Sequence, residues 1–181
     1  MLMTSMPAHT RVICLFLLAF IGLMALLAHQ SAFPVGITWN RTASLPLGLY
    51  WHSRLTEVPA IGDVVCFPYR APEWAKSRKY FPEGARLCKR VIGLPGDRIV
   101  RAADRLEICH ANRCVDAGRI MPHDSLGRPA VAADLPEVIP EGFAYMGVPE
   151  VQMSFDSRYL GLVALKDLER TIHPVWVWTR E

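Results

Sequence analysis

Positions 89 to 97 of the chain have the sequence Lys89-Arg90-Val91-Ile92-Gly93-Leu94-Pro95-Gly96-Asp97. Apolar and β-branched residues in its first part and a Pro-Gly pair near its end predict a strand that runs into a tight turn. Successive strand residues point to opposite faces, so only one of Lys89 and Arg90 can enter the interior. Burial lowers the pKa of a lysine amine, which lets it act as a base near neutral pH.

Short apolar runs of strand length lie on both sides of this segment. Gly and Pro separate them, and helical periodicity is weak after the N-terminal region, apart from a turn near 71–79. The predicted strands are 48–52, 63–69, 87–92, 98–102, 106–109, 143–146, 160–165 and 175–179. We therefore predict a mainly β domain, with an inserted smaller lobe at approximately 98–150.

The N-terminal region contains an uncharged apolar run from Val12 to Ala28. As a helix it is about 25 Å long, a short but feasible membrane span. Arg11 precedes it and no Lys or Arg follows until Arg41. This predicts residues 1–11 in the cytoplasm, a single transmembrane helix at 12–28 as anchor in the inner membrane, and residues 29–181 in the periplasm or outside. A cleaved signal peptide is the alternative, but no convincing small-x-small site follows the run.

Composition excludes two other classes of function. The net charge is +3, and the basic residues form no long stripe, so we do not expect nucleic acid as a partner. We expect no metal and no cofactor, because four of the histidines lack close metal-ligand spacing. These are His52, His110, His123 and His173.

The cysteines suit the predicted oxidising compartment. Cys109 and Cys114 flank a turn-like loop between two extended runs, where a disulfide is favoured over two free thiols or a metal pair with His110. Cys66 and Cys88 lie in separate strand-like runs. The sequence leaves open whether they are bridged, because it does not show that they come within bonding distance.

Two polar segments frame the lysine strand. The first is Thr42-Ala43-Ser44-Leu45-Pro46-Leu47-Gly48-Leu49-Tyr50 and the second is Ser154-Phe155-Asp156-Ser157-Arg158-Tyr159-Leu160-Gly161. Each alone is typical of a turn. If the second segment is extended, Ser154, Asp156 and Arg158 share one face, where the last two can pair and the Ser154 hydroxyl can meet a buried amine. A serine hydroxyl becomes a nucleophile when a base takes its proton, so Ser44 and Lys89 form a candidate pair.

In this order the segments resemble the type I signal peptidase family (S26), and more closely its conjugative-transfer branch, the TraF-type peptidases. The resemblance extends from Thr42 to Thr179. It rests on the Ser-x-Pro-x-Gly-Leu-Tyr motif at 44–50, on Gly62-Asp63-Val64-Val65-Cys66-Phe67, on the lysine segment and on the segment at 155–161. Ordinary leader peptidases have Ser-Met-x-Pro. Here proline stands at the second position after Ser44, which favours the conjugative branch.

The resemblance implies a signal-peptidase-like β domain and a role for each motif residue. Ser44 is expected to be the nucleophile and Lys89 the general base. The supporting roles fall to Thr42 as an oxyanion donor beside the Ser44 backbone N–H, to Ser154 as the residue that orients Lys89, and to Asp156 and Arg158 as support for the site.

The implied function is that of a membrane-anchored serine endopeptidase that cleaves leader sequences from exported precursors. Its expected partners are membrane lipid and a precursor protein, in the conjugative branch a prepilin that it processes or cyclises. The alternatives are a general type I leader peptidase and a non-catalytic membrane-anchored β domain that binds a partner in a secretion or conjugation assembly. A self-cleaving Ser/Lys regulator is also conceivable, but such proteins are cytosolic and need no anchor.

Overall fold

The computed structural model describes residues 7–28 and 35–178, and the chain divides into two compact units, Met1–Gly36 and Ile37–Glu181. The first contains helix α1 (Ala8–Ala28), whose large apolar side chains from Val12 to Met24 are exposed. Within the described residues, no helix has both the length and the apolarity that a membrane crossing requires. The run 12–28 is helical, but the prediction that it forms a transmembrane anchor is not supported.

The second unit is built on two antiparallel sheets. The larger has seven strands in the order β1-β2-β10-β3-β4-β8-β9, and the smaller has the order β5-β6-β7. The strands are β1 (Val35–Asn40), β2 (Leu47–Arg54), β3 (Val64–Pro68), β4 (Arg86–Gly93), β5 (Arg98–Ala102), β6 (Arg105–His110), β7 (Arg113–Arg119), β8 (Phe143–Gly147), β9 (Val163–Ala164) and β10 (Arg170–Trp178). Helix α2 (Ser157–Leu160) and two 3-10 helices, Glu73–Arg78 and Leu165–Asp167, complete the described elements. The prediction of a mainly β fold is confirmed.

The segment that carries the last motif differs from its prediction. It is not an extended strand, because Asp156 caps α2 and its side chain accepts a hydrogen bond from the Arg158 backbone N–H. An aspartate in this position satisfies an otherwise unpaired N–H and starts the helix. Ser154, Asp156 and Arg158 therefore do not share a strand face, and the predicted strand 160–165 is reduced to β9.

The smaller sheet lies within the segment that we assigned to an inserted lobe. Its strands β5 to β7 pair only with one another in the two-sheet arrangement of the described residues. Strand β8 also falls within 98–150, but it pairs with β4 in the larger sheet. The segment thus supplies a second sheet and then returns to the first.

One cluster of the hydrophobic core lies against the loop that follows β1. It contains Leu45, Tyr50, Cys66, Val148 and Ile172. They bring together the loop after β1 with strands β2, β3 and β10. Gly48, where β2 begins, has a φ of +142°, and a Cβ there would lie 2.1 Å from the Trp176 carbonyl oxygen. The glycine of the motif is therefore required by the close approach of β10.

Candidate active site

Ser44 lies on the loop between β1 and β2. The loop is short, and Leu45 is buried in the core while Thr42 and Ala43 are exposed. Ser44 itself is half-buried. The loop thus presents the hydroxyl at the surface while the neighbouring leucine anchors it from below.

The Thr42 hydroxyl lies between two oxygen atoms. Its Oγ1 is 2.8 Å from Asn40 Oδ1 and 3.5 Å from Ser44 Oγ. An amide oxygen can only accept, so Thr42 donates its proton to Asn40 and can at most accept one from Ser44. In this arrangement the predicted oxyanion donor has its proton engaged elsewhere.

Lys89 enters the interior from β4, as one of the two adjacent basic residues must. Its exposed fraction is 4%, and its Nζ donates to Ser154 Oγ at 2.8 Å. Arg90 points to the other face, where its Nη2 lies 2.8 Å from Glu150 Oε1. The strand alternation predicted from the sequence is confirmed, and the structure identifies Lys89 as the interior residue.

Burial lowers the pKa of Lys89 from its ordinary value of 10.5 to about 8. The negative charge of Asp156 raises it, and the positive charge of Arg158 partly offsets that effect. Desolvation penalises the charged form of an amine and so makes the neutral form accessible. The amine can therefore accept a proton near neutral pH.

Asp156 and Arg158 form a fully buried ion pair behind Ser154. Arg158 Nε lies 2.8 Å from Asp156 Oδ1, and Nη2 lies 2.8 Å from Oδ2. Such a two-point contact fixes both planar groups. Arg158 also donates to the backbone carbonyls of Val151 and Ser154. The pair thus holds the segment that presents Ser154 to Lys89.

Ser44, Lys89 and Ser154 line one cleft with a volume of about 500 Å³. Leu45 and Ile172 give it apolar walls. Within the described residues, no hydrogen bond joins Ser44 Oγ to Lys89 Nζ. Catalytic hydrogen bonds are often long in the absence of substrate, so this geometry does not exclude the pair.

Both pairs of cysteines beyond the helix are bridged. The predicted Cys109–Cys114 disulfide joins β6 to β7, and Cys66–Cys88 joins directly opposed residues of β3 and β4. A carboxylate oxygen of Glu107 and the sulfur atoms of Cys109 and Cys114 lie within 4.8 Å of one another, close enough to share a metal ion. The two sulfur atoms are bonded to each other, however, so they are not thiolate ligands. Cys88 precedes Lys89 and lines the cleft.

Asn40 is the site residue that the sequence analysis missed. It lies at the end of β1, outside every quoted motif, and its contacts with the loop that carries Ser44 become visible only in the folded chain. Its one local pattern, Asn40-Arg41-Thr42, matches a glycosylation sequon, and that pattern does not indicate a role in the loop.

The chain is similar to known proteins over most of its length. The family model described as signal peptidase, peptidase S26, matches residues 9–177. Two plasmid transfer proteins TraF of Escherichia coli are 31% and 28% identical over 172 and 171 residues, and each match covers 87% of this chain and 92% of the relative. A signal peptidase I of Enterococcus faecalis superposes with a TM-score of 0.37 at 21% identity, over 64% of this chain and 97% of that chain.

Proposed function

The chain belongs to the signal peptidase family, peptidase S26, and from this we propose that it is a serine endopeptidase in which Ser44 and Lys89 form the catalytic dyad. Membership of the family implies serine peptidase activity. The observation that carries the assignment of the dyad is the buried Lys89 amine, with a pKa of about 8, in the same cleft as the Ser44 hydroxyl.

The chemistry follows from these positions. Neutral Lys89 takes the Ser44 proton, Ser44 Oγ bonds to the scissile carbonyl carbon, and the displaced electron pair forms an oxyanion near the Ser44 backbone N–H. The C–N bond then breaks, and the leaving amine takes the proton from Lys89. Water repeats the sequence on the acyl-enzyme and restores the Ser44 hydroxyl.

Ser154 orients the Lys89 amine. Because Lys89 donates one N–H to Ser154 Oγ, a neutral amine held there keeps its lone pair available for another partner. Thr42 assists the oxyanion if its hydroxyl leaves Asn40 when substrate arrives. We therefore expect the Ser44 N–H to be the first oxyanion donor and Thr42 to be the second.

The proposed substrate is an exported precursor protein with a leader sequence. The two E. coli relatives are named as plasmid transfer proteins, which supports a precursor from a conjugation system, and a prepilin is the substrate that we propose. For cleavage near the C-terminus of the precursor the acyl-enzyme would carry the mature chain, and the N-terminal amine of that same chain, entering in place of water, would take the acyl group and close the chain into a ring. A general leader peptidase would instead accept many unrelated precursors.

We place the catalytic unit in the periplasm or outside the cell, at the inner membrane. Two disulfides support an oxidising compartment. The exposed Trp178 ring packs against the exposed rings of Trp39 and Trp176, and such aromatic groups suit a membrane interface. The exposed apolar side chains of α1 suit contact with lipid. Extraction of membranes at alkaline pH tests this, since a protein without lipid contact would be released.

The test of the dyad compares the wild-type protein with Ser44→Ala and Lys89→Ala on a membrane-embedded prepilin, with products identified by mass. Both variants should lose cleavage, while Ser125→Ala and Lys166→Ala, at exposed positions, should keep it. Absence of cleavage by the wild-type protein, or normal cleavage by either dyad variant, would contradict the proposal.

A further inference from the structure

The Asn40 side chain contacts the nucleophile loop at five points. Its Nδ2 donates two N–H groups to three backbone carbonyls, those of Thr42, Leu45 and Pro46 at 3.0, 3.1 and 3.0 Å, so that one N–H is shared between two of them. Its Oδ1 accepts from the Thr42 backbone N–H at 3.1 Å and from the Thr42 hydroxyl at 2.8 Å. The contacts enclose Ser44, because they bind the chain on both sides of it.

The two ends of the amide are distinguished by chemistry. A backbone N–H can only donate and a carbonyl can only accept, so Oδ1 must face Thr42 N and Nδ2 must face the three carbonyls. The reverse orientation would bring Nδ2 against a donor and Oδ1 against three acceptors. The network thus fixes the amide in one orientation.

The loop has few other contacts that hold it in place. Residues 41–43 and Pro46 are exposed, and Leu45 is the one fully buried side chain between Arg41 and Pro46. Tyr50 Oη adds a hydrogen bond to the Pro46 carbonyl at 2.8 Å. Packing holds the loop at Leu45, so the path of the chain from Thr42 to Ser44 depends on Asn40.

We propose that Asn40 is a positioning residue that holds Ser44 at its place in the cleft and keeps the proton of the Thr42 hydroxyl directed at Asn40 Oδ1 until substrate binds. This inference rests on the proposed dyad. Among the described hydrogen bonds, those of the Asn40 side chain go to Thr42, Leu45 and Pro46 and none goes to Ser44 Oγ or Lys89, so Asn40 acts through the loop. Displacing a reacting group by about 1 Å can cost roughly 100-fold in rate.

The experiment uses Asn40→Ala, which removes all five contacts, and Asn40→Asp, which keeps the acceptor oxygen and removes the three donations. Asn112→Ala, at the exposed tip of the β6–β7 hairpin, is the matched control. Cleavage of the precursor is followed for kcat, KM and the pH profile, and Tm is measured for each variant.

Both Asn40 variants should lose kcat by roughly 10- to 100-fold with KM nearly unchanged. The apparent pKa in the pH profile should stay at the wild-type value, because the surroundings of Lys89 are intact. The control should match the wild type. A purely structural role would lower Tm and active fraction together without a selective loss of kcat in the folded enzyme.

Wild-type kcat in Asn40→Asp would overturn the inference, because the three donations would then be dispensable. A loss that appears in KM alone, or one fully accounted for by unfolded protein, would overturn it as well. The proposed dyad fails separately: there, Ser44→Ala would cleave as well as the wild type. Loss in Ser44→Ala with full kcat in Asn40→Ala would refute the role of Asn40 and leave the dyad standing.

Discussion

The two halves of the candidate site are held by different kinds of structure. Lys89 lies on β4, between β3 and β8, with an exposed fraction of 4%. Its amine donates a hydrogen bond to Ser154, in a segment that a buried ion pair holds in place. Ser44 is half-buried on a loop that is held by hydrogen bonds from Asn40. A base needs burial to lower its pKa, whereas a nucleophile needs access to the substrate. The proposed base is therefore part of the core, and the proposed nucleophile is held by hydrogen bonds within its own loop.

The largest expected effect comes from breaking the buried pair behind the base. Arg158→Met leaves the Asp156 carboxylate without its partner, with no exposed surface at either residue in the wild type. We expect the free energy of unfolding to fall by about 3 to 5 kcal/mol in urea titrations. A loss below about 1 kcal/mol, the usual range of exposed pairs, would show that the pair does not stabilise the structure around Lys89.

A matched control for that variant is Arg105→Met. Arg105 Nη2 lies 2.6 Å from Asp116 Oδ2, and both side chains are about half exposed. Solvent screens such a pair, so the free energy of unfolding should change by less than about 1 kcal/mol.

The next effect concerns the charge on the base itself. Between a folded pKa of about 8 and the ordinary 10.5, the unfolded chain binds more protons than the folded one, so wild-type stability rises with pH across that window. Lys89→Met removes this slope. Below pH 8 the variant should be more stable than the wild type by up to about 3 kcal/mol, and the difference should shrink toward pH 10.5.

Lys166→Met, at an exposed lysine, should show no such gain. Equal stability of Lys89→Met and the wild type at every pH would mean that the Lys89 amine is not destabilised by burial. Burial would then not explain why Lys89 lies in the core and Ser44 on a loop.

The smallest of these effects tests the boundary of the nucleophile loop. Gly48→Ala places a Cβ 2.1 Å from the Trp176 carbonyl oxygen, whereas Gly62→Ala also has a positive φ but meets no atom within 4 Å. Thermal unfolding should show Gly48→Ala to be less stable than Gly62→Ala by about 1 to 3 kcal/mol. Equal losses would mean that backbone conformation alone, and not contact with β10, requires glycine in the motif.

Most of the structure around Lys89 could be predicted from the sequence. Strand alternation at Lys89 and Arg90, the Pro-Gly turn that follows and the mainly β class all depend on local patterns, and local patterns persist in the fold. The Cys109–Cys114 bridge was also predictable, because five positions separate two residues that flank a turn. The Cys66–Cys88 pair depends on the register between β3 and β4, which no local pattern reveals.

Other features depended on contacts that only the folded chain makes. The prediction that 154–158 is extended was wrong, because Asp156 caps a helix. Over so short a stretch, the hydrogen bond of a capping side chain decides the backbone conformation and the alternating polar pattern does not. Asn40 lies outside the motifs that carry the family resemblance. The Thr42 hydroxyl, predicted as an oxyanion donor, donates to Asn40 in the structure, so the proposed role requires that it first leave Asn40.

The pH dependence of kcat/KM for precursor cleavage tests the central claim, that Lys89 is the base for Ser44, most directly. It reports the ionisation of the free enzyme. Since the neutral amine is the active form, the rate should rise about tenfold per pH unit below a pKa of about 8 and level off above it. A profile that is flat through this range, or that levels off only near the ordinary lysine value of 10.5, would contradict the account.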